Sequence, residues 1–244
     1  MYGTFYLLFW VVVFGFIYVV FLKPKPTCFD KVLNQDEVEI DCGGVCTNVC
    51  IPFHALPIES VGQVTVLYPD EGHMSILARI RNPNTDYLVK SFLYTFILRD
   101  KQNTVVQTLE ARSFIYPGET KYVLLPNIER VSFAGIEFKT DKVQWILAEG
   151  EPGPANVSAQ GAEMRVKNGM LVVEGNVSNN DIALVPETTV IATFTGSLGQ
   201  IAGASQTEIS NLAPGEKRAF SIIHPDIPTV DLSATKIFVY PRRP

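Results

Sequence analysis

Apolar and polar positions divide this chain into two unlike stretches. From Met1 to Leu22 the sequence "MYGTFYLLFWVVVFGFIYVVFL" holds no charged side chain, and an apolar run of about 20 residues matches a hydrocarbon core roughly 30 Å thick. The pattern predicts a transmembrane helix, with residues 1–23 as an anchor. A cleaved secretion signal would want a basic start, a shorter apolar core and a small-residue exit, none of which this segment has. Beyond Pro52 the pattern changes to short apolar runs, "QVTVLY", "MSILARI", "FLYTFILR", "TKYVLL" and "GIEF", rich in Val, Ile, Phe and Tyr and separated by turn residues. These predict β-strands, and their punctuation by Pro, Gly, Asn and Asp indicates an antiparallel sandwich. Phe96 and Leu98 would face a core from alternate positions, and Asp100 would open the turn that follows.

The β-rich part contains a copy of itself. Asn82 falls on Asn179 and Pro117–Glu119 on Pro214–Glu216 at an offset of 97 residues. Around them "ILARIRNPN" parallels "LVVEGNVSNND", and "PGETKYVLLPNI" parallels "PGEKRAFSIIHPDI". A period of this length suits tandem domains, not a solenoid. Their boundary falls at "EGEPGPAN", Glu149 to Asn156, where Pro and Gly interrupt any strand. The expected organisation is an anchor at 1–23, a cysteine-rich stalk at 24–52, a first β-sandwich at 53–149 and a second at 150–244. Pro117-Gly118 and Pro214-Gly215 suit the centre of a type II turn. Asn82-Pro83-Asn84 would end a strand, because Pro lacks the ladder donor and Asn caps turns.

All four cysteines, Cys28, Cys42, Cys46 and Cys50, lie directly after the apolar stretch. Four cysteines permit three pairings, and the spacing does not choose among them. Zinc is the alternative to disulfides, although zinc ligands usually come as close pairs in two knuckles and Cys28 has no near neighbour. Between the cysteines lie Asp30, Asn34, Asp36, Glu37, Glu39 and Asp41. Calcium takes six to eight oxygen ligands, so Asp30, Asn34, Asp36, Glu37 and Asp41 are candidate calcium ligands, with a soluble acidic loop as the alternative. Gly43 and Gly44 would allow a sharp turn with positive φ. Lys23 and Lys25 follow the span, which by the positive-inside rule alone would keep the bulk of the chain in the cytoplasm. Disulfides persist in oxidising compartments, and the cysteine cluster therefore argues for the opposite side.

Charge removes one class of partner. With 20 basic and 25 acidic residues and a net charge of -5, nothing favours nucleic acid. Arg242 and Arg243 read as a solvated tail. His54, His73 and His224 stand without a neighbouring nucleophile signature and are expected at the surface or at strand edges. No hydrolase, metalloprotease or phosphate-loop motif is present. Asp70 and Glu71, adjacent in a strand, would point to opposite faces. No catalytic residues, and no enzyme, are expected. Trp145 fits a sandwich core.

The cysteine stretch resembles a short module of bacterial surface and secreted proteins on Cys28, Asp30, Asn34, Gln35, Glu37, Asp41, Cys42, Gly43, Gly44, Cys46 and Cys50, with Lys31 where that module usually has Gly. The resemblance implies a place outside the cytoplasm. Phe96-Ile97-Leu98-Arg99-Asp100 resembles the strand signature of FxLYD domains, with Arg99 in place of the usual Tyr, and "ARIRNPN" is similar to a segment of the related water-stress (late-embryogenesis-abundant type) sandwiches. In the second copy Thr193-Phe194-Thr195 leads into Gly196 and the signature has decayed. These resemblances imply mainly β architecture, two tandem immunoglobulin-like, seven-stranded antiparallel sandwiches behind the helix and the disulfide module. They also imply a binding or spacer role. The expected function is a single-pass plasma-membrane protein with extracytoplasmic C-terminal domains, for adhesion, scaffolding or spacing. Its partners would be the bilayer, through residues 1–23, and another protein or itself. The rival expectation is a filament or envelope-assembly subunit polymerising through the N-terminal helix.

Overall fold

A computed structural model describes residues 2–17, 27–38, 40–47, 50, 55–228 and 230–244. Met1–Cys50 and Ile51–Pro244 form two compact units. In the first, α1 runs over Tyr2–Ile17, 16 residues without an acid in the first turn or a base in the last. At 1.5 Å per residue it is about 24 Å long, and no helix among the described residues is long and apolar enough to cross a membrane. Residues 18–23 of the predicted anchor lie outside the described residues. Tyr6, Phe9, Val12 and Phe14 are exposed on α1, and Trp10 stacks on Phe14 one turn later at 5.4 Å.

The second unit is mainly β. Its first copy comprises β1 (Glu59–Ser60), β2 (Thr65–Leu67), β3 (His73–Arg81), β4 (Tyr87–Arg99), β5 (Val105–Ile115), β6 (Thr120–Glu129) and β7 (Gly135–Leu147). The second comprises β8 (Val157–Lys167), β9 (Met170–Asn179), β10 (Val185–Gly196), β11 (Ile201–Leu212), β12 (Lys217–Pro225) and β13 (Val230–Arg242). All pairings are antiparallel, and the two copies repeat one topology. In the first, β6 pairs one edge of β3, while β1 and β2 share the other; the second sheet runs β5-β4-β7. In the second copy the corresponding sheets run β12-β9-β8 and β11-β10-β13. The short pair β1 and β2 stands where β8 stands, and β8 itself slips register between Gln160 and Glu163. Broken edge strands of this kind discourage pairing with a further chain.

Three apolar clusters hold these sheets. Met74, Ile76 and Ile80 of β3 meet Phe92, Phe96 and Leu98 of β4 inside the first copy. Leu171 and Val173 of β9 meet Val190 and Phe194 of β10 inside the second. Leu77, Tyr122 and Leu124 on the other face of the β3–β6 sheet meet Ile191, Ala204, Phe238 and Tyr240 of the β10–β11–β13 sheet in a third. Two of the four sheets are therefore covered on both faces. Met74 to Ala78 and Val190 to Phe194 are consecutively buried, which explains their unbroken apolar or small-residue character, whereas β4, covered on one face, alternates.

The repeated motif is a corner built on a buried asparagine. Asn82 is fully buried; its Nδ2 donates to Tyr87 O (2.8 Å) and Tyr116 O (3.1 Å), and its Oδ1 accepts from Asn84 N at 3.1 Å. In the second copy Asn179 Nδ2 donates to Ala183 O (2.9 Å), Leu212 O (3.0 Å) and Ala213 O (3.1 Å), and its Oδ1 accepts from Asp181 N at 2.9 Å. Each amide thus ties together the two places where the chain crosses from sheet to sheet, β3 to β4 and β5 to β6 in the first copy. The Pro-Gly turns form, with Gly118 at φ 66 and Gly215 at φ 72, but they stand at the second crossing between sheets and not at hairpin corners, since β5 and β6, like β11 and β12, belong to different sheets. They close by Glu119 N to Tyr116 O (3.2 Å) and Glu216 N to Ala213 O (3.0 Å). Asp100 also opens its turn, accepting from Gln102 N and Thr104 N at 2.9 and 2.8 Å.

Asn82→Asp keeps the shape but removes both donated bonds, and it is expected to lower the unfolding free energy by about 3 kcal/mol. In urea titrations the midpoint should fall with the slope unchanged, and Asn179→Asp should behave alike. Asn168→Asp, on an exposed turn, should stay within about 0.5 kcal/mol of wild type.

Candidate functional site

The predicted cysteine module closes through two crossed bridges, Cys28–Cys46 and Cys42–Cys50, with Cα separations of 5.6 and 5.0 Å. The chain reaches this pairing through a dense series of left-handed residues, Lys31, Gln35, Asp36, Asp41, Gly43 and Gly44. The glycines are required: a Cβ on Gly43 would press on the Val38 side chain at 2.7 Å, and one on Gly44 would run into the Asp36 carbonyl.

The acids of the module fold it by capping its amides. Asp30 accepts from Thr27 N (2.9 Å), Val32 N (2.9 Å) and Asn34 Nδ2 (3.1 Å). The bond from Thr27 N, followed by that from Asn34, holds its carboxyl below the ordinary range. Asp41 takes Lys31 N at 2.9 Å across ten residues. Glu37 Oε2 takes Asn34 N and Asp41 N, both at 3.2 Å. Asp36 is exposed, and Glu39 lies outside the described residues. Among the described residues, the group whose ligand atoms lie within 4.8 Å of one another is Cys28, Glu37 and Cys46. Both of its sulfurs belong to one disulfide, so it offers a single carboxylate and no thiolate. The five candidate calcium ligands are thus brought into one small loop, where three carboxylates already serve backbone N–H groups.

The second concentration of polar chemistry lies between the two sandwiches. Lys121 on β6 is 4% exposed. Its Nζ donates to Phe114 O at 3.0 Å and sits 3.8 Å from the Phe114 ring centre and 4.8 Å from that of Tyr240. Burial lowers its pKa to about 8, against the pull of Glu119 and Glu187. Burial also raises the carboxyl of Glu119, whose Oε2 accepts from Tyr116 N at 2.8 Å. Two tyrosines bond across the seam in opposite directions. Tyr116 OH donates to Pro241 O (3.4 Å) and accepts from Arg243 N (3.2 Å), while Tyr240 OH accepts from Tyr122 N (3.0 Å). Arg243, expected as part of a solvated tail, binds Asp181 Oδ2 at 2.6 Å and Gly153 O at 2.6 Å. A cleft of about 180 Å³ opens here, with Arg112, Lys121, Glu187, Glu208 and Arg242 among its walls.

The histidines fall in three places. His73 Nδ1 meets Asp70 Oδ1 at 2.9 Å in an exposed turn. His224 lies on the edge strand β12, but its ring turns inward against Phe194 at 5.0 Å, and burial lowers its pKa. His54 lies outside the described residues. Lys121, Asn82 and Asn179 were missed as buried polar groups. The available signal was Phe114 and Tyr116 just before "PGE" in the first copy, where the second has Asn211 and Ala213. The chain matches no family model, and a search of curated proteins finds no match.

Replacing Cys42 and Cys50 by Ser should expose amides of residues 27–50 to hydrogen exchange and leave the melting temperature of Ile51–Pro244 unchanged, since that unit has its own cores. Lys121 yields a pH dependence. Between its folded pKa of about 8 and the ordinary 10.5, the unfolded chain holds a proton that the folded chain has released, so stability rises with pH. From pH 8 to 9.5 the gain is about 1–2 kcal/mol. Urea titrations across that interval should show it, and Lys121→Met should remove it.

Proposed function

We propose that this chain is a membrane-anchored, extracytoplasmic structural or binding protein. In this reading residues 1–23 are the anchor, the cysteine module is a stalk, and two immunoglobulin-like sandwiches form one stiff body for adhesion, scaffolding or spacing at the cell envelope. The observation that carries it is the pair of crossed disulfides, Cys28–Cys46 and Cys42–Cys50. A module this small closes little apolar area, with Val32, Leu33, Val38 and Val45 exposed, so its fold leans on bridges that persist only where the surroundings are oxidising.

The anchor is supported by the uncharged run of 22 residues, which as one helix would reach about 33 Å. The immunoglobulin-like reading is supported by the sheet-to-sheet crossings of both copies and by the resemblance of Phe96–Asp100 to FxLYD domains. A non-enzymatic role is supported by the fate of the polar groups: Asp70 caps a turn with His73, and His224 fills space beside Phe194. The seam supports a spacer, because a body whose halves share an apolar cluster transmits position with little bending.

On intact cells expressing the full chain, a membrane-impermeant maleimide polymer should shift the protein only after reductant is added. The protein should resist alkaline carbonate extraction, and a chain lacking residues 1–23 should be extracted. Labelling without reductant would reject the bridges, and labelling only after lysis would reject the extracytoplasmic placement; extraction of the full chain would reject the anchor.

A further inference from the structure

Strand β4 is central in its sheet, yet both of its ladders slip at one place. Against β5 the register jumps between Val89 and Phe92; against β7 it jumps between Val89 and Ser91 and again before Leu93. Lys90 has no ladder partner on either side. A bulge in a central strand forfeits pairing and re-aims side chains, and bulges concentrate beside binding sites. Here it frees the Lys90 carbonyl to accept from Arg242 Nη2 of the second copy at 3.4 Å, and it leaves the Lys90 side chain exposed.

Beside the bulge lies a pocket of about 330 Å³, within the roughly 300–1,000 Å³ of small-molecule sites. Leu88, Ile146, Phe114 and Ala183 give it apolar walls, and Pro152 of the segment joining the copies closes one side. Lys90, Arg242 and Arg243 stand among the lining residues with Glu151 and Pro244, the two arginines facing Glu187 and Asp181 respectively. Arg243 is committed to Asp181 and Gly153. Arg242 is not saturated: its contacts with Glu187 and with Lys90 O are both 3.4 Å. The chemistry is therefore an apolar slot ending in one lysine and one guanidinium fork.

We propose that this pocket binds a small amphiphilic carboxylate, its apolar body along Leu88, Ile146 and Phe114 and its head between Lys90 and Arg242. An apolar cation would meet like charge at the rim, and a bare inorganic anion would leave the walls unfilled. A carboxylate matches the planar fork of arginine. Because both copies and the joining segment contribute walls, the site exists only in the joined pair. It is independent of where the chain resides.

The test uses the full-length chain in lipid nanodiscs and a decanoate bearing a terminal diazirine, with cross-linked peptides mapped by mass spectrometry. Labels are expected at Leu88–Lys90, Ile146, Pro152 or Ala183, lost with excess decanoate and retained with excess decyltrimethylammonium. Lys90→Glu should reduce pocket labelling about tenfold, while labelling of the nanodisc lipid by dissolved probe stays constant as the internal reference. Ala183→Trp, which fills the slot and leaves the charges alone, should act like Lys90→Glu. Absence of label at the pocket, equal competition by the cation, or wild-type labelling of both variants would overturn the assignment.

Discussion

A side-chain amide buried where the chain passes from one sheet to the other organises everything built on it. A sandwich must cross between its sheets, and each crossing strips backbone carbonyls of their ladder partners inside an apolar interior. Asn82 and Asn179 supply the missing donors at two crossings at once. Both amide ends are used, so a carboxylate or an apolar residue of similar size would leave backbone groups unsatisfied. The bracket also sets the height of the Pro-Gly turn: the carbonyls of Glu119 and Glu216 accept from the asparagine N–H at 2.9 Å in both copies. Strand order and register downstream follow from where those turns are pinned.

With that geometry repeated, the copies can stack only through faces not already facing a core. The β3–β6 sheet offers Leu77, Tyr122 and Leu124, and the β10–β11–β13 sheet offers Ile191, Phe238 and Tyr240. Each such side chain withdrawn from water contributes about 1.5–3 kcal/mol. The seam is therefore comparable in kind to a domain core, and its reciprocal tyrosine bonds fix the lateral position that apolar contact leaves open. Lys121 is the exception inside it. Its amine loses hydration on burial, and two aromatic faces, the Phe114 carbonyl and two carboxylates offset only part of that loss, which is why its pKa falls and does not rise.

Much of this was legible in the chain because local chemistry decides local geometry. Pro117-Gly118 and Pro214-Gly215 could only be corners, Asp100 could only cap its turn, and the alternation of Phe96 and Leu98 announced one covered face. The offset between Asn82 and Asn179 exposed the tandem organisation. What stayed hidden depends on contacts between residues far apart in sequence. The cysteine pairing is one of three alternatives that spacing treats alike. The unbroken runs Met74–Ala78 and Val190–Phe194 signalled burial on two faces, but nothing in them named the partner sheet. The acids of the cysteine module read equally well as metal ligands or as caps, because a carboxylate accepts from an amide and from a cation with the same oxygens. The slip at Lys90 leaves as its trace only the polar pair Lys90-Ser91 between the buried Val89 and Phe92, a break in alternation that a turn would leave as well.

The two copies also show how one scaffold position acquires different chemistry from what covers it. Lys121 and Arg218 occupy the same place after their Pro-Gly-Glu turns. In the second copy Arg218 stays partly exposed, pairing with Glu216 while donating to Ser210 O at 2.6 Å. In the first copy Tyr240 closes over that place. A guanidinium there would bring five donors to an aromatic slot that presents one carbonyl, whereas an amine can satisfy itself at that carbonyl and release its proton as the pH rises. The divergence between the copies is thus a consequence of their being stacked: Phe114, Tyr116 and Lys121, where the second copy has Asn211, Ala213 and Arg218, are buried at the seam.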